Sequence, residues 1–318
     1  MQEDNNTNKI KIQGVKPKKI KNEKNVKMII QGNSYVDVLE TALPTKATIR
    51  KLDKKHYKVL STGDIRKYSD KETREKDKDN LKKTFTRLRQ LIRTNFTKNG
   101  HNQLFITLTY AENMTDEKRL YDDFKKFFQK LQYKLKEHKL DYISVMEPQG
   151  RGAWHVHLML KSDKPILFLD NVELEKIWGL GYTETQRLKS DDVGSYYVAY
   201  FTDILQEGKD GSKKHKKGSR LHLYPKGFKF YRTSRGIRKP DEIMAEYGEL
   251  EKAGYKKTYE KAIEIYDEEK GKVLNTIQRE TWKKWISFLE PRGWFGGGTP
   301  AKVYIYPCQK DSNGGTGV

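Results

Sequence analysis

Between residues 104 and 160 the hydrophobic positions change period twice, and those changes outline a fold. Leu104-Phe105-Ile106-Thr107-Leu108-Thr109-Tyr110 is β-branched, aromatic and alternating, which predicts a buried strand. Thr115 then stands as an N-cap, with Asp116 and Glu117 in the first turn of a helix. Along that helix Leu120, Phe124, Phe127, Phe128, Leu131 and Leu135 make one apolar stripe. A hairpin of 142–148 and 153–160 follows, because Pro148-Gln149-Gly150-Arg151-Gly152 between the two apolar runs is turn chemistry. Upstream, over 63–100, Leu81, Phe85, Leu88, Leu91 and Ile92 fall near helical spacing until Asn99-Gly100 breaks the pattern. Downstream, a short helix around 171–178 ends at Gly179, Gly181 marks a turn, and a strand occupies about 182–188. A second helix capped by Ser190 carries Val193, Tyr196, Tyr197, Tyr200 and Ile204.

The ends of the chain read differently. Residues 1 to about 27 hold eight lysines and few apolar groups, which predicts a basic, loosely ordered arm. Residues 241–290 read as helical and charged, with Trp282, Trp285 and Phe288 as an apolar edge. The glycine-rich tail from Asp311 reads as floppy. The expected division is a leading basic segment over 1–62, a central domain over 63–240 and a helical extension over 241–318.

Charge narrows the partners. With 64 basic against 43 acidic side chains, the 318-residue chain carries a formal +21, which attracts polyanions. Nucleic acid is the expected partner, although anionic lipid fits the charge alone. Cys308 is the only cysteine, which excludes internal disulfides and multi-cysteine zinc modules. There is no basic-then-apolar leader and no run of 18 apolar residues. A soluble, reduced, cytoplasmic protein with no membrane partner is the expectation.

The candidate chemistry sits on the hairpin. Strand side chains alternate, so His155 and His157 share one face while Val156, Leu158 and Leu160 take the other. Glu147, at the end of the preceding run, comes beside them across the turn, completing a three-ligand metal site with open positions. Histidines on a strand also occur as solvent-facing or hydrogen-bonded residues, so the pair alone does not define a metal centre. Tyr196 and Tyr200, four apart, stack on one helix face, while Tyr197 aligns with Phe201 and Ile204 for packing. A phenol with a pKa near ~10 is a poor nucleophile at neutral pH. A metal that neutralises a phosphodiester brings attack by phenolate within reach. Tyrosines on an amphipathic helix are also ordinary packing residues.

The order of these motifs is more specific than any one of them. Phe105-Ile106-Thr107-Leu108-Thr109, then Trp154-His155-Val156-His157, then Val193-Gly194-Ser195-Tyr196-Tyr197-Val198-Ala199-Tyr200 resembles a rolling-circle replication initiator of the His-hydrophobe-His ("HUH") endonuclease superfamily, two-tyrosine type. The resemblance covers about residues 100–206, and Ser234-Arg235-Gly236-Ile237 is similar to a basic segment that often follows. It implies an α+β fold, a central antiparallel sheet flanked by helices. It also implies Mg²⁺ or Mn²⁺ held by His155, His157 and Glu147, with Tyr196 as principal nucleophile and Tyr200 as second tyrosine. The implied product is a 5′-phosphotyrosine and a free 3′-hydroxyl, and the implied partners are single-stranded DNA and an origin duplex. Many relatives carry a lysine three residues after the first tyrosine, where this chain has Ala199, and the analogous later position is Asp203. Phosphate positioning then falls to another cation, with the 209–239 run as its source, or the details of the site differ.

That run holds twelve Lys or Arg and one acidic residue. Lys213, Lys214, Lys216, Lys217, Arg232, Arg235 and Arg238 are the candidate phosphate contacts. Tyr224, Phe228, Phe230 and Tyr231 are either base-stacking platforms or inward-facing strand residues. No Gly-x-x-x-x-Gly-Lys-Ser/Thr loop occurs, so strand separation is assigned to a host helicase. A transposase or mobilisation relaxase is the nearest alternative. A zinc hydrolase lacks the usual His-Glu-x-x-His string, and a non-catalytic basic nucleic-acid-binding protein would use its His pair structurally.

Overall fold

The structure, a computed structural model, describes residues 10–18, 26–41, 49–53, 55–60, 62–68, 78–98, 100–188, 221–225, 227–268 and 271–284. The expected tyrosine helix, the Lys213–Lys217 run, Trp285, Phe288 and the tail lie outside these residues. In chain order the strands and helices begin with β1 (Ile10–Val15), β2 (Val26–Gln31), β3 (Tyr35–Thr41), β4 (Ile49–Lys51), β5 (His56–Val59) and β6 (Ile65–Lys67). The middle of the chain forms α1 (Lys78–Asn95), β7 (Gln103–Thr109), α2 (Glu117–Lys134), β8 (Leu140–Pro148), β9 (Trp154–Ser162), α3 (Asn171–Trp178) and β10 (Thr183–Gln186). Then come β11 (Tyr231–Thr233), β12 (Asp241–Ala245), α4 (Glu249–Lys252), β13 (Lys256–Asp267) and β14 (Lys272–Lys283). The class is α+β, with antiparallel sheets predominating.

The five-stranded sheet runs β10-β7-β9-β8-β11, and every neighbouring pair is antiparallel. Residues directly opposite in such pairs share a face. One face therefore presents Leu104, Ile106 and Leu108 beside Val156, Leu158 and Leu160, all 4% exposed or less. The stripe of α2 belongs to the same core: Leu120, Phe124, Phe127 and Leu131 are buried, and Phe124 meets Tyr142 edge-on at 5.5 Å. The α1 stripe of Leu81, Phe85, Leu88, Leu91 and Ile92 is buried in it too, with Phe85 5.4 Å from Phe230. The cap of α2 is Asp116 rather than Thr115: its carboxylate accepts from Lys118 N and Arg119 N, while Thr115 O is taken by Trp154 Nε1.

Helix α3 ends at Gly179 in the left-handed region, as its sequence predicts. Trp178 Nε1 donates to Thr109 O at 2.9 Å, tying this helix to the end of β7. Gly181 (φ 152°) passes so close to Thr109 O and Ala111 N that no Cβ fits there. That close approach lets β10 pair with β7.

The chain ends overturn two expectations. A six-stranded sheet, in order β1-β13-β14-β3-β2-β12, is built from residues expected to be a loose arm and a helical extension. β1 pairs antiparallel with β13 from Ile10↔Asp267 to Val15↔Ala262, so part of the lysine-rich arm is an edge strand. Residues 256–283 are a long hairpin, not a helix. Ile263 and Ile265 alternate with Glu264 and Tyr266, and Gly271 (φ 59°) precedes the return strand. By compactness the chain divides into a unit of Met1–Met28, Asn33–Ala42 and Ile243–Val318, and another of Ile29–Gly32 and Leu43–Glu242. Among the described residues no helix is long and apolar enough to cross a membrane.

Candidate functional site

The turn between β8 and β9 fixes what lies opposite what. Gln149 N donates to Ala153 O at 2.7 Å, Gly152 N donates to Gln149 O at 2.9 Å, and Gly152 takes φ 92°. The resulting register sets Glu147 opposite His155 and Val145 opposite His157. On the other side of β9, Thr109 is opposite His155 and Thr107 opposite His157. Glu147, His155, His157, Thr107 and Thr109 thus share the sheet face that the apolar set leaves.

His157 is the best-anchored member. Its Nε2 lies 3.1 Å from Glu147 Oε2, and its Nδ1 lies 3.4 Å from Thr107 Oγ1. A carboxylate only accepts, so in the neutral ring Nε2 carries the proton and Nδ1 accepts from the threonine hydroxyl. Phe105 stacks on the imidazole, centroids 5.8 Å apart and planes 16° from parallel. Glu147 is only 8% exposed, so its carboxylate needs such a partner. The His155 ring centroid is 6.2 Å from that of His157. Thr107 and Phe105 are neighbours of the imidazoles that the motifs alone do not single out; alternation along Phe105-Ile106-Thr107 is the signal for them.

One carboxylate and two imidazoles on a shared face are a donor set suited to a divalent ion. Among the described residues, however, no three His, Cys, Asp or Glu side chains converge on one metal position. Glu147 and His157 instead bond to each other. Holding an ion between them requires that hydrogen bond to break and Nε2 to give up its proton.

The basic residues divide by what they touch. The Arg232 guanidinium lies 3.5 Å over the Tyr121 ring, a cation–π contact that occupies it. Arg235 and Arg238 are exposed, on a segment whose backbone is held at two points. Asp141 Oδ1 accepts from Ser234 Oγ at 2.7 Å and Gly236 N at 3.1 Å, and a Cβ on Gly236 would collide with that carboxylate. Asn95 donates to Arg238 O at 2.8 Å and accepts from Arg238 N at 2.9 Å. The aromatic residues of this region are not stacking platforms: Tyr224, Phe228 and Phe230 are at most 3% exposed. Phe228 lies flat on Trp154 at 4.7 Å, and Tyr224 donates to Met146 O at 3.0 Å. Tyr231 is half-buried, and burial raises its phenol pKa.

Fold and site together define an α+β protein with a carboxylate and two imidazoles on the inner strands of an antiparallel sheet. Residues 103–204, about a third of the chain, match the replication-associated protein family that groups ORF2 with gene 2 protein. The matched stretch includes Glu147, His155 and His157 and continues through Tyr196 and Tyr200. That match supports a replication initiator with DNA as its partner. Comparison with curated proteins and with solved structures returns no match in either.

Proposed function

We propose that this chain is a metal-dependent endonuclease and strand transferase of the two-tyrosine HUH type that nicks one strand of an origin to start rolling-circle replication. The observation that carries the reading is the shared face of Glu147, His155 and His157, inside a stretch matching a replication-associated family. Those three residues would hold Mg²⁺ or Mn²⁺, which when bound neutralises charge on the scissile phosphate and on the departing oxygen. Thr107 orients the His157 ring through Nδ1, fixing which nitrogen faces the ligand position. The Tyr196 oxygen attacks phosphorus, the P–O3′ bond breaks, and the phenol proton ends on the 3′-oxygen. The 5′-phosphotyrosine retains the energy of the broken ester, so the free 3′-hydroxyl primes synthesis and a later attack reseals the strand without ATP. Tyr200 performs or assists that closing transfer. Arg235 and Arg238, with Lys213, Lys214, Lys216 and Lys217, contact phosphates in place of the lysine absent at Ala199; Arg232 contributes less because it is stacked. Strand separation falls to a host helicase.

The test is a cleavage reaction with single-stranded origin DNA and Mn²⁺, read by mass spectrometry of the tyrosine-linked oligonucleotide. The wild type forms an adduct at Tyr196 or Tyr200, and the Tyr196→Phe, Tyr200→Phe double variant forms none. An adduct of undiminished yield in the double variant overturns the assignment.

A further inference from the structure

Residues 49–68 form a small antiparallel sheet, β4-β5-β6, that makes no extensive contact with another described element. It has almost no core of its own: Ile49, Leu52, Leu60 and Ile65 are 44–67% exposed. Its two faces differ. Arg50 pairs with Lys58, Lys58 with Ile65, and His56 with Lys67, so one face carries a cation on each of the three strands. The other face holds Ile49, Tyr57 and Val59 beside Lys51 and Arg66, with Tyr57 packed on Tyr68 at 4.8 Å.

The basic face costs the fold stability. Like charges directly opposite each other across a sheet repel, and Arg50 and Lys58 occupy that position. The segment contains only two acids, and both are engaged elsewhere. Asp53 accepts from His56 N at 2.7 Å and pairs with His56 Nδ1 at 2.9 Å, contacts that lower its carboxyl pKa to about 2. Asp64 pairs with Arg66 at 3.4 Å, on the opposite face. No described residue forms an ion pair with Arg50, Lys58 or Lys67. A repelling, exposed face without acids is explained if its ligand is a polyanion.

We propose that the β4–β6 face bearing Arg50, Lys58 and Lys67 docks on the phosphate backbone of duplex DNA. Three strands at roughly 4.8 Å spacing are about 10 Å across, close to the ~12 Å width of the major groove that admits β-ribbons. The cations lie on separate strands, so they follow the rims of a groove rather than a single extended strand. The choice of DNA rests on the replication match. The surface itself is independent of the nicking chemistry, because binding is measured without cleavage.

The experiment uses the full chain in EDTA and a 30-base-pair duplex, with anisotropy recorded across a salt series. Converting Arg50, Lys58 and Lys67 together to Gln should weaken binding and lower the slope of log K against log salt by roughly 2–3, near 0.9 for each phosphate no longer neutralised. The charge-preserving variant Arg50→Lys, Lys58→Arg, Lys67→Arg should keep the wild-type slope. The same neutralisation at the exposed α2 residues Lys125, Lys126 and Lys130 should change it by less than one. An unchanged slope in the Gln variant, an equal drop in the α2 variant, or a loss confined to single-stranded DNA or RNA would overturn the proposal.

Discussion

The five-stranded and six-stranded sheets are both antiparallel, yet they are held together by different means. Inside the five-stranded sheet the buried face is aliphatic, and strands close in sequence pair with each other. The six-stranded sheet buries polar groups among its apolar ones: Gln31, Asp37, Gln278, Glu280 and Thr281 are all at most 7% exposed. These groups bond across the chain. Thr281 Oγ1 donates to Asp37 at 2.8 Å, and Gln278 Nε2 donates to Lys18 O at 2.6 Å. Glu280 accepts from Tyr247 OH at 2.7 Å and Trp282 Nε1 at 2.8 Å, with Lys257 Nζ at 3.4 Å. Burial alone tolerates some slippage, whereas a paired donor and acceptor do not. The second sheet joins segments more than 200 residues apart, and its polar pairs specify which register they take.

The largest effect separating the two sheets should come from the aliphatic one. Leu158 is fully buried on β9, facing the α2 side. Leu158→Ala removes its packing and leaves a cavity, so urea unfolding should show a loss of about 2–5 kcal/mol. A loss under about 1 kcal/mol would mean that this face is less tightly packed than its burial implies.

This contrast also explains what could be read in the chain. The β7–β9 strands, α2 and α3 were legible because each buries one regular face and the hairpin turn is local. The opposition of Glu147 to His155 followed from the length of that turn. The Glu147–His157 bond did not, because rotamer choice across two strands leaves no periodic trace. The six-stranded sheet was misread because β13 and β14 are rich in Lys and Glu, residues that favour helices in isolation. Strand pairing with β1 and β3 overrides that preference. Ile263-Glu264-Ile265 before Gly271 was the period-2 clue, visible but outweighed by the charge pattern. Tyr224, Phe228 and Phe230 were ambiguous for a similar reason, since lysines and arginines between them hide an inward-facing set.

A smaller effect tests the polar sheet. Glu280→Gln keeps the shape but turns one of the two acceptor oxygens into a donor. It then faces either Tyr247 and Trp282 or Lys257 and Gln278, all of which donate. The expected cost is about 1–3 kcal/mol, with faster amide exchange in β13 and β14. If this variant is as stable as the wild type, the polar cluster does not hold the register.

Tyr247→Phe should have the smallest effect, and its pH dependence is the informative part. The variant removes one donor to Glu280, but Trp282 still donates to the same oxygen, so the cost near pH 7 should be about 0.5–1.5 kcal/mol. Burial first, then the hydrogen bond to the Glu280 carboxylate, raises the Tyr247 phenol pKa well above its ordinary value of 10. The folded chain therefore holds this proton more tightly than the unfolded chain. Its contribution is complete below pH 10 and is lost as pH climbs from there toward the folded value. Other buried tyrosines titrate in both proteins and cancel in the difference. The gap between wild type and Tyr247→Phe should accordingly narrow as urea midpoints are followed from pH 9 to 11. A gap that stays constant would show that Tyr247 keeps the same proton affinity on unfolding, and that its bond to Glu280 contributes nothing to the second sheet.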